Sequence, residues 1–309
     1  MISNFTEKTL KVALAGPPNV GKSTLINAII GQKIAITTHK PQTTRSTTLG
    51  ILTIEDTQIV FADTPGIFEP RKNHKLEKFI VSNAKKSIAQ VDIILLLVDA
   101  YIIQKIVEEQ DKLMSRLSMY SEAMNVICAI QKPILLIANK IDTCDWQDLT
   151  NDQINMVYNV IVQKDCVEKK IIPISALKNQ NLDLLINTIK PYAKNRDWEF
   201  DAEHYTSTTE RNLAEEITRE QLYLVMHAEI PYSVQIDTDY WIENDDESIS
   251  IHQSIIVLKP TQKNMIIGAN GSMIKTIGER ARREICAALH TPVHLFLHVK
   301  VRSDWIEKL

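Results

Sequence analysis

At 309 residues the chain fits two ordinary domains better than one, and an apolar fraction of 44% is enough for sizeable cores. A net charge of −3 excludes a uniformly basic nucleic-acid coat and leaves room only for a local basic face. The four cysteines (Cys128, Cys144, Cys166 and Cys286) form no CxxC pair, which speaks against a disulfide framework or a zinc site and for a reducing cytosol.

The first residues, MISNFTEKTLK, have no long apolar core, so no signal peptide is expected. No run approaches 18 apolar residues, and the longest, Ile93–Val98, has the length of a buried strand. Up to about Asn195, short apolar runs alternate with amphipathic stretches. Strands are expected at 10–15, 48–53, 58–62, 92–98, 134–138 and 171–174, and helices at 22–30, 74–89, roughly 104–129 and 182–192. That order predicts an α/β domain with a mostly parallel sheet and helices on both faces. Residues 196–211 are polar, acidic and aperiodic, and read as a linker between a domain at 1–195 and another at 212–309. In the second domain the pattern predicts a helix at 212–227, strands at 233–241 and 248–259, two helices around Gly268–Gly271, and a strand at 293–302.

The chemistry starts at Gly16-Pro17-Pro18-Asn19-Val20-Gly21-Lys22-Ser23, which matches GxxxxGK[ST] directly after a strand and directly before a helix, and runs on into Thr24. Glycines let successive N–H groups turn inward around phosphate, and the helix N-terminus adds partial positive charge. Lys22 supplies a point charge to the β- and γ-phosphates, and the Ser23 hydroxyl is a ligand for Mg²⁺. Asp63-Thr64-Pro65-Gly66 follows the next apolar strand: Asp63 reaches Mg²⁺ through water, and the Gly66 N–H senses the γ-phosphate. Thr44, with Thr43 as the alternative, is the expected closing ligand for Mg²⁺. In Asn139-Lys140-Ile141-Asp142 the Asp142 carboxylate accepts from the N1–H and N2–H₂ edge of guanine, a donor pair adenine lacks. Ser175-Ala176 is expected to offer a backbone N–H to the guanine oxygen. All these elements sit at the C-terminal ends of strands, where open α/β sheets bind ligands. After Gly66 comes Ile67, not the water-orienting glutamine of Ras-like enzymes, so intrinsic hydrolysis is expected to be slow.

Charge shifts within the second domain. Residues 201–260 carry 13 acidic and 3 basic residues, whereas 261–309 carry 8 basic and 4 acidic, so one end presents a polyanion face. Gly268-Ala269-Asn270-Gly271 is a GxxG between two helices, as in KH modules that clamp the backbone of about four nucleotides. The helix after it has an apolar stripe of Ile274, Ile277, Ala281, Ile285 and Leu289, with Lys275, Arg282 and Arg283 off it.

Together these residues resemble the Era family of GTPases over nearly the whole chain. The specific marks are GPPNVGKST, the Gln42-Thr43-Thr44-Arg45 switch, DTPGIFEP, NKID, ISAL, AEEITRE (Ala214–Glu220), IPYSV, and the segments 266–282 and 299–305. The resemblance implies a P-loop GTPase domain followed by an α+β type II KH domain, GTP and GDP as ligands, and Mg²⁺ as cofactor. It further implies K⁺ held partly by Asn19, with Lys22, Asn19, Thr44 and Gly66 serving hydrolysis. The implied partner is single-stranded RNA near the 3′ end of small-subunit ribosomal RNA, bound by Gly268, Ala269, Asn270, Gly271, Lys275 and Arg282. A monomer acting in the cytoplasm in 30S assembly is expected, with peripheral contact to the inner membrane. The chain departs from the family at Phe68, where relatives carry His, at the long stretch Gln104–Lys132, and at GANG, where relatives read GKGG. Two other readings stay open: a membrane-associated regulatory GTPase, and a GTP-sensing RNA-binding module with little hydrolysis.

Overall fold

Runs of Ile, Leu and Val build the first layer. β1 (Lys8–Ala15), β4 (Ile93–Asp99) and β5 (Ile134–Asn139) are almost continuously buried, as strands covered on both faces must be. The computed structural model describes residues 6–37, 48–63, 90–108, 132–162, 169–226 and 234–302. Their contacts divide the chain into two units, Met1–Gln32 with Thr44–Ser207, and Lys33–Thr43 with Thr208–Leu309.

In the first unit the sheet order is β2-β3-β1-β4-β5-β6, with β2 at Thr48–Ile54, β3 at Thr57–Asp63 and β6 at Ile171–Pro173, and the short β7 (Lys194–Asn195) pairs antiparallel with β1 off this path. β1 pairs in parallel with β3 and β4, β4 with β5, and β5 with β6, while β2 is antiparallel at the edge. One face packs Ile94, Leu96, Val98, Leu136 and Ala138 against α2 (Ala100–Glu108) and α3 (Asn151–Ile161). α1 (Lys22–Ile30) lies against β2 and β3, and α4 (Leu182–Ile189) continues as a 3₁₀ turn to Tyr192.

Three differences from the sequence reading have local causes. The helix expected from about Gln104 starts at Ala100, because the Asp99 carboxylate accepts from the Tyr101 N–H at 3.1 Å and starts the helix at the strand's end. The expected helix 74–89, and the 104–129 stretch beyond Glu108, lie outside the described residues. α3 was not expected, yet Thr150 and Gln153 form a full capping box in front of it. The stretch read as a linker is divided. Residues 196–207 bond to the first unit's strands, through Thr9 Oγ1 to the Arg196 and Asp197 carbonyls, Gln58 to Glu199 and Phe200, and Ile51 N to the Tyr205 carbonyl. Thr209 then caps α5 (Glu210–Val225). Polar side chains such as Gln58 disguise this strap, because its aperiodic sequence is matched by groups on other strands.

The second unit runs α5, β8 (Gln235–Glu243), β9 (Ile249–Val257), α6 (Pro260–Ile267), α7 (Ser272–Leu289), β10 (Val293–Val301). β9 is antiparallel to β8 and parallel to β10. Leu222, Ile236, Ile255, Ile266, Ile277 and Val299 form one core cluster and Leu213, Ile217, Ile251, Ala281 and Ile285 another. This is the element order expected of a type II KH domain. On the other face of its sheet, Tyr240, His252 and Phe296 form a cross-strand ladder, with His252 and Phe296 stacked at 4.5 Å. Among the described residues, no helix is long and apolar enough to cross a membrane.

At the N-terminal end of β4, Asp92 fastens the first unit. Its Oδ2 accepts from the Lys11 N–H at 3.0 Å, and its Oδ1 meets Lys194 at 2.8 Å and Arg196. Burial alone would push this carboxyl up, but the hydrogen bonds from Lys194, the Lys11 amide and Arg196 together hold it below the ordinary aspartate range. A lowered pKa stabilises the fold above the unfolded value near 4, and that contribution disappears as pH falls through the folded value. Asp92→Asn is therefore expected to cost about 1–3 kcal/mol at pH 7. Urea midpoints of the two chains, well separated at pH 7, should converge as pH falls below the ordinary aspartate range.

Candidate nucleotide site and RNA cradle

The phosphate loop joins β1 to α1. Gly16 (φ 138°), Asn19 (φ 63°) and Gly21 (φ 100°) take left-handed or related backbone that lets the loop curl. Two glycines are needed for space as well. A Cβ on Gly16 would sit 2.7 Å from the Leu97 carbonyl oxygen, and one on Gly21 would sit 2.3 Å from Asn139 Nδ2. Gly21 is also the N-cap of α1 and carries no side-chain cap, so the first N–H groups of the helix stay available to an anion.

Lys22 is buried, and its ammonium donates to the carbonyls of Gly16 and Pro17, each at 3.0 Å. Burial lowers its pKa to about 8, against the opposing charge of Asp63. Asp63, fully buried at the end of β3, is pushed up by burial and pulled back by the Ser23 hydroxyl and the Lys22 charge. Ser23 Oγ donates to Asp63 Oδ2 at 2.7 Å, while Oδ1 is buried with no hydrogen-bond partner among the described residues. A buried carboxylate oxygen left unpaired beside a hydroxyl is a donor set suited to a hydrated divalent cation of hard character. The residues present therefore fit Mg²⁺.

The base-recognition loops follow β5 and β6. Asn139, 2% exposed, donates from Nδ2 to the Val20 carbonyl at 2.8 Å and accepts at Oδ1 from the Ala176 N–H at 3.0 Å. It ties the phosphate loop to the Ser175-Ala176 loop. Ser175 Oγ donates to Asp142 Oδ1, holding an otherwise exposed carboxylate. The N–H groups expected to face the base are both engaged within the loop, Ser175 to the Gln180 carbonyl and Ala176 to Asn139. Lys140, with φ 68°, pairs with Asp99 at 3.0 Å. Asp99 was missed from the sequence, although its place at the C-terminal end of β4 was the available signal. Thr64, Pro65, Gly66, Thr43, Thr44, Ile67 and Phe68 lie outside the described residues.

In the second unit the GANG turn joins α6 to α7 through a 3₁₀ turn. Its two glycines serve different ends. A Cβ on Gly268 would meet Met273 Cβ at 2.7 Å, whereas Gly271 has open space around it and a φ of 76°. Ala269 and Asn270 are exposed, Gly271 caps α7 without a side-chain bond, and Lys275 and Arg282 are exposed two turns apart on α7. Of the expected stripe, Ile277, Ala281 and Ile285 are fully buried and Ile274 and Leu289 partly so.

A P-loop nucleotide domain followed by a KH unit defines the class. The family described as "50S ribosome-binding GTPase" matches residues 11–140, and that described as "KH domain" matches 229–306. GTPase Era of Rickettsia bellii is 39% identical over 300 residues, covering 97% of this chain and 94% of the relative. GTPase Era of Mesorhizobium japonicum is 38% identical over 294 residues, covering 95% and 88%. A crystal structure of Era in complex with MgGDPNP and nucleotides 1506–1542 of 16S ribosomal RNA superimposes with a TM-score of 0.82 at 35% identity, covering 98% of this chain and 96% of that one. An Aquifex aeolicus Era variant bound to GDP and AlF₄⁻ gives the same TM-score and identity, covering 97% and 96%. The chain belongs to the Era family and is a GTPase.

Gly21→Ala brings a methyl group against the Asn139 amide and adds backbone strain. GDP affinity, measured by fluorescent-nucleotide titration, is expected to fall about 100-fold, or about 2.7 kcal/mol. The far-UV circular dichroism should remain that of the unmodified chain.

Proposed function

We propose that the protein binds Mg²⁺–GTP, hydrolyses it, and uses the nucleotide state to set how tightly its KH unit holds single-stranded RNA near the 3′ end of small-subunit ribosomal RNA during 30S assembly. In this reading it acts in the cytoplasm as a monomer. The observation that carries the nucleotide half is the trio Lys22, Ser23 and Asp63: a buried ammonium with lowered pKa, a hydroxyl, and a buried carboxylate with one unpaired oxygen. Ser23 and Thr44 would hold Mg²⁺ directly and Asp63 through water. Mg²⁺, when bound, neutralises charge on the β- and γ-phosphate oxygens. Lys22 exchanges its two loop carbonyls for phosphate oxygens, and the uncapped N–H groups of α1 add fixed positive dipoles that cost no reorganisation during reaction. Asp142, steadied by Ser175, reads the guanine edge, and Gly66 senses the γ-phosphate.

With Ile67 in place of a glutamine, the charge that develops on the transferring phosphoryl needs another stabiliser. We assign that role to K⁺ held by Asn19, whose left-handed backbone sits inside the phosphate loop. Single-turnover hydrolysis at equal ionic strength is expected to run about tenfold faster in K⁺ than in Na⁺. Equal rates would remove Asn19 from the catalytic set.

For RNA, the GANG turn, the uncapped start of α7 and the shared face of Lys275 and Arg282 support backbone clamping. The solved Era complex with 16S ribosomal RNA supports the identity of the RNA. Gly271→Asp tests it cleanly, because aspartate tolerates left-handed backbone and a Cβ there meets nothing within 4 Å. A negative charge added at the turn repels phosphate, so affinity for a 3′-end RNA oligonucleotide should fall about 100-fold with GTP affinity unchanged within about twofold. Unaltered RNA binding would count against the clamp.

A further inference from the structure

The outer face of the second unit's sheet, turned away from α5, α6 and α7, belongs to neither ligand site described above. Strand alternation decides what it shows. Along β10, Val293, Leu295, Leu297 and Val299 join the two core clusters, while His294, Phe296, His298 and Lys300 are exposed on the other side. The register sets His294 beside Ser250, Phe296 beside His252 and His298 beside Ser254 of β9. From β8, Tyr240 and Ile242 stand opposite His252 and Ser250. The result is a row of three rings, one from each strand. Tyr240 meets His252 edge-on with centroids 5.9 Å apart, and His252 stacks on Phe296 at 4.5 Å with 16° between the planes. The end rings are the open ones: Tyr240 is 65% exposed and Phe296 47%.

Ring surface left in water gains free energy when another flat apolar surface covers it. The groups around the rings decide which surface that is. The outer row of β10 holds no carboxylate, and Arg302 follows it, exposed. The carboxylates Asp237 and Asp239 sit on β8, and both are engaged. Gln235 Nε2 donates to Asp237 at 3.2 Å, and Ser254 and Lys300 donate to Asp239. The Lys300–Asp239 pair is partly exposed, of the kind an arriving phosphate can open. Rings interleaved with imidazoles and cations suit a polyanion that carries flat bases. Two residues along a strand advance about 6.6 Å, about twice the 3.4 Å rise of a stacked nucleic-acid strand. Successive outer side chains of β10 therefore match bases that are splayed apart. Single-stranded RNA offers such bases, whereas a duplex hides their faces. A lipid surface or a second copy would be met by a broad aliphatic patch, and among the described residues the exposed aliphatic group opposite β9 here is Ile242.

We infer that the outer face of the β8–β9–β10 sheet is a second contact surface for single-stranded RNA: bases stack on Phe296 and Tyr240, and His294, His298, Lys300 and Arg302 meet the phosphates and sugars. The GANG turn belongs to the helical layer on the other side of the sheet. The outer surface needs nothing from that turn and shares with the function proposed above only that this unit binds RNA. Contact on both faces lengthens the RNA footprint beyond the about four nucleotides that a KH loop clamps.

The test uses the full chain and fluorescence anisotropy with an unstructured adenosine oligonucleotide of about 20 nucleotides, at one fixed salt concentration because phosphate contacts are salt-dependent. Phe296→Leu and Tyr240→Leu each keep apolar bulk at an exposed position and remove the ring, so the thermal midpoint should stay that of the unmodified chain. Each is expected to weaken binding about tenfold, the scale of one lost stacked base. On an abasic strand of the same length the variants and the unmodified chain should bind alike. A uridine oligonucleotide carrying 4-thiouridine should crosslink on irradiation to the peptides that hold Tyr240 and Phe296. Unchanged affinity in both folded variants overturns the inference, and so does an equal loss on the abasic strand. Reduced self-association in sedimentation with RNA affinity unchanged also overturns it and assigns the face to a second copy. Gly271→Asp separates the two RNA surfaces. If it binds RNA like the unmodified chain while Phe296→Leu is weakened, the clamp at the GANG turn fails and the sheet surface stands. If Gly271→Asp is weakened and the two ring variants are not, the clamp stands and the sheet surface fails.

Discussion

One buried amide holds the nucleotide site together. Asn139 donates to the Val20 carbonyl of the loop after β1 and accepts from the Ala176 N–H of the loop after β6, from its own place at the end of β5. Three loops that share no local sequence are thereby fixed to one another by a side chain that is 2% exposed. In so dry a place each bond is strengthened and each missing partner is expensive. The arrangement leaves no room above Asn139 Nδ2 for a Cβ, which is why position 21 is glycine for reasons of space as well as backbone angle. The glycine motif and the base motif are thus two halves of one packing problem. A change in either displaces the other.

Two buried aspartates at opposite ends of the same sheet separate stability from function. Asp92, at the start of β4, has both carboxylate oxygens answered by Lys11, Lys194 and Arg196, and its pKa is held down. Asp63, at the end of β3, has one oxygen answered by Ser23 and one unanswered, and its pKa is pushed up. Lys22 beside it is likewise destabilised as a cation, toward a pKa of about 8. In the proposed nucleotide site each is answered by the complementary charge, phosphate for the lysine and metal for the aspartate. At the opposite end of the sheet Asp92 is compensated, so the strain is confined to the end that carries the phosphate loop.

The parts legible in sequence were those whose geometry is local. The phosphate loop is set by glycine backbone angles and a strand-loop-helix context spanning 8 residues, and the second unit's stripe Ile277, Ala281, Ile285 by helical period. What escaped was long-range. The strap at 196–207 has no periodicity because its partners lie on β1, β2 and β3, and a residue such as Gln58 declares nothing about Phe200 from its own neighbours. Asn139 was read for guanine but not as the tie between loops, and the Ser175 and Ala176 N–H groups were expected at the base rather than within the loop. The start of α2 turned on a single carboxylate, Asp99, at the junction of strand and helix. α3 carried a local signal in Thr150 and Gln153 that was overlooked among polar residues.

The GANG turn departs from the family pattern in charge more than in backbone, since both of its glycines keep positive φ. No lysine stands inside the turn, and the positive charge nearest to it in sequence lies on α7 in two forms. Its uncapped N-terminus carries partial positive charge at the turn itself, and Lys275 and Arg282 extend it along one face. The charge is therefore spread along the helix instead of concentrated at one point. Spread charge follows a strand of phosphates better than it grips a single one.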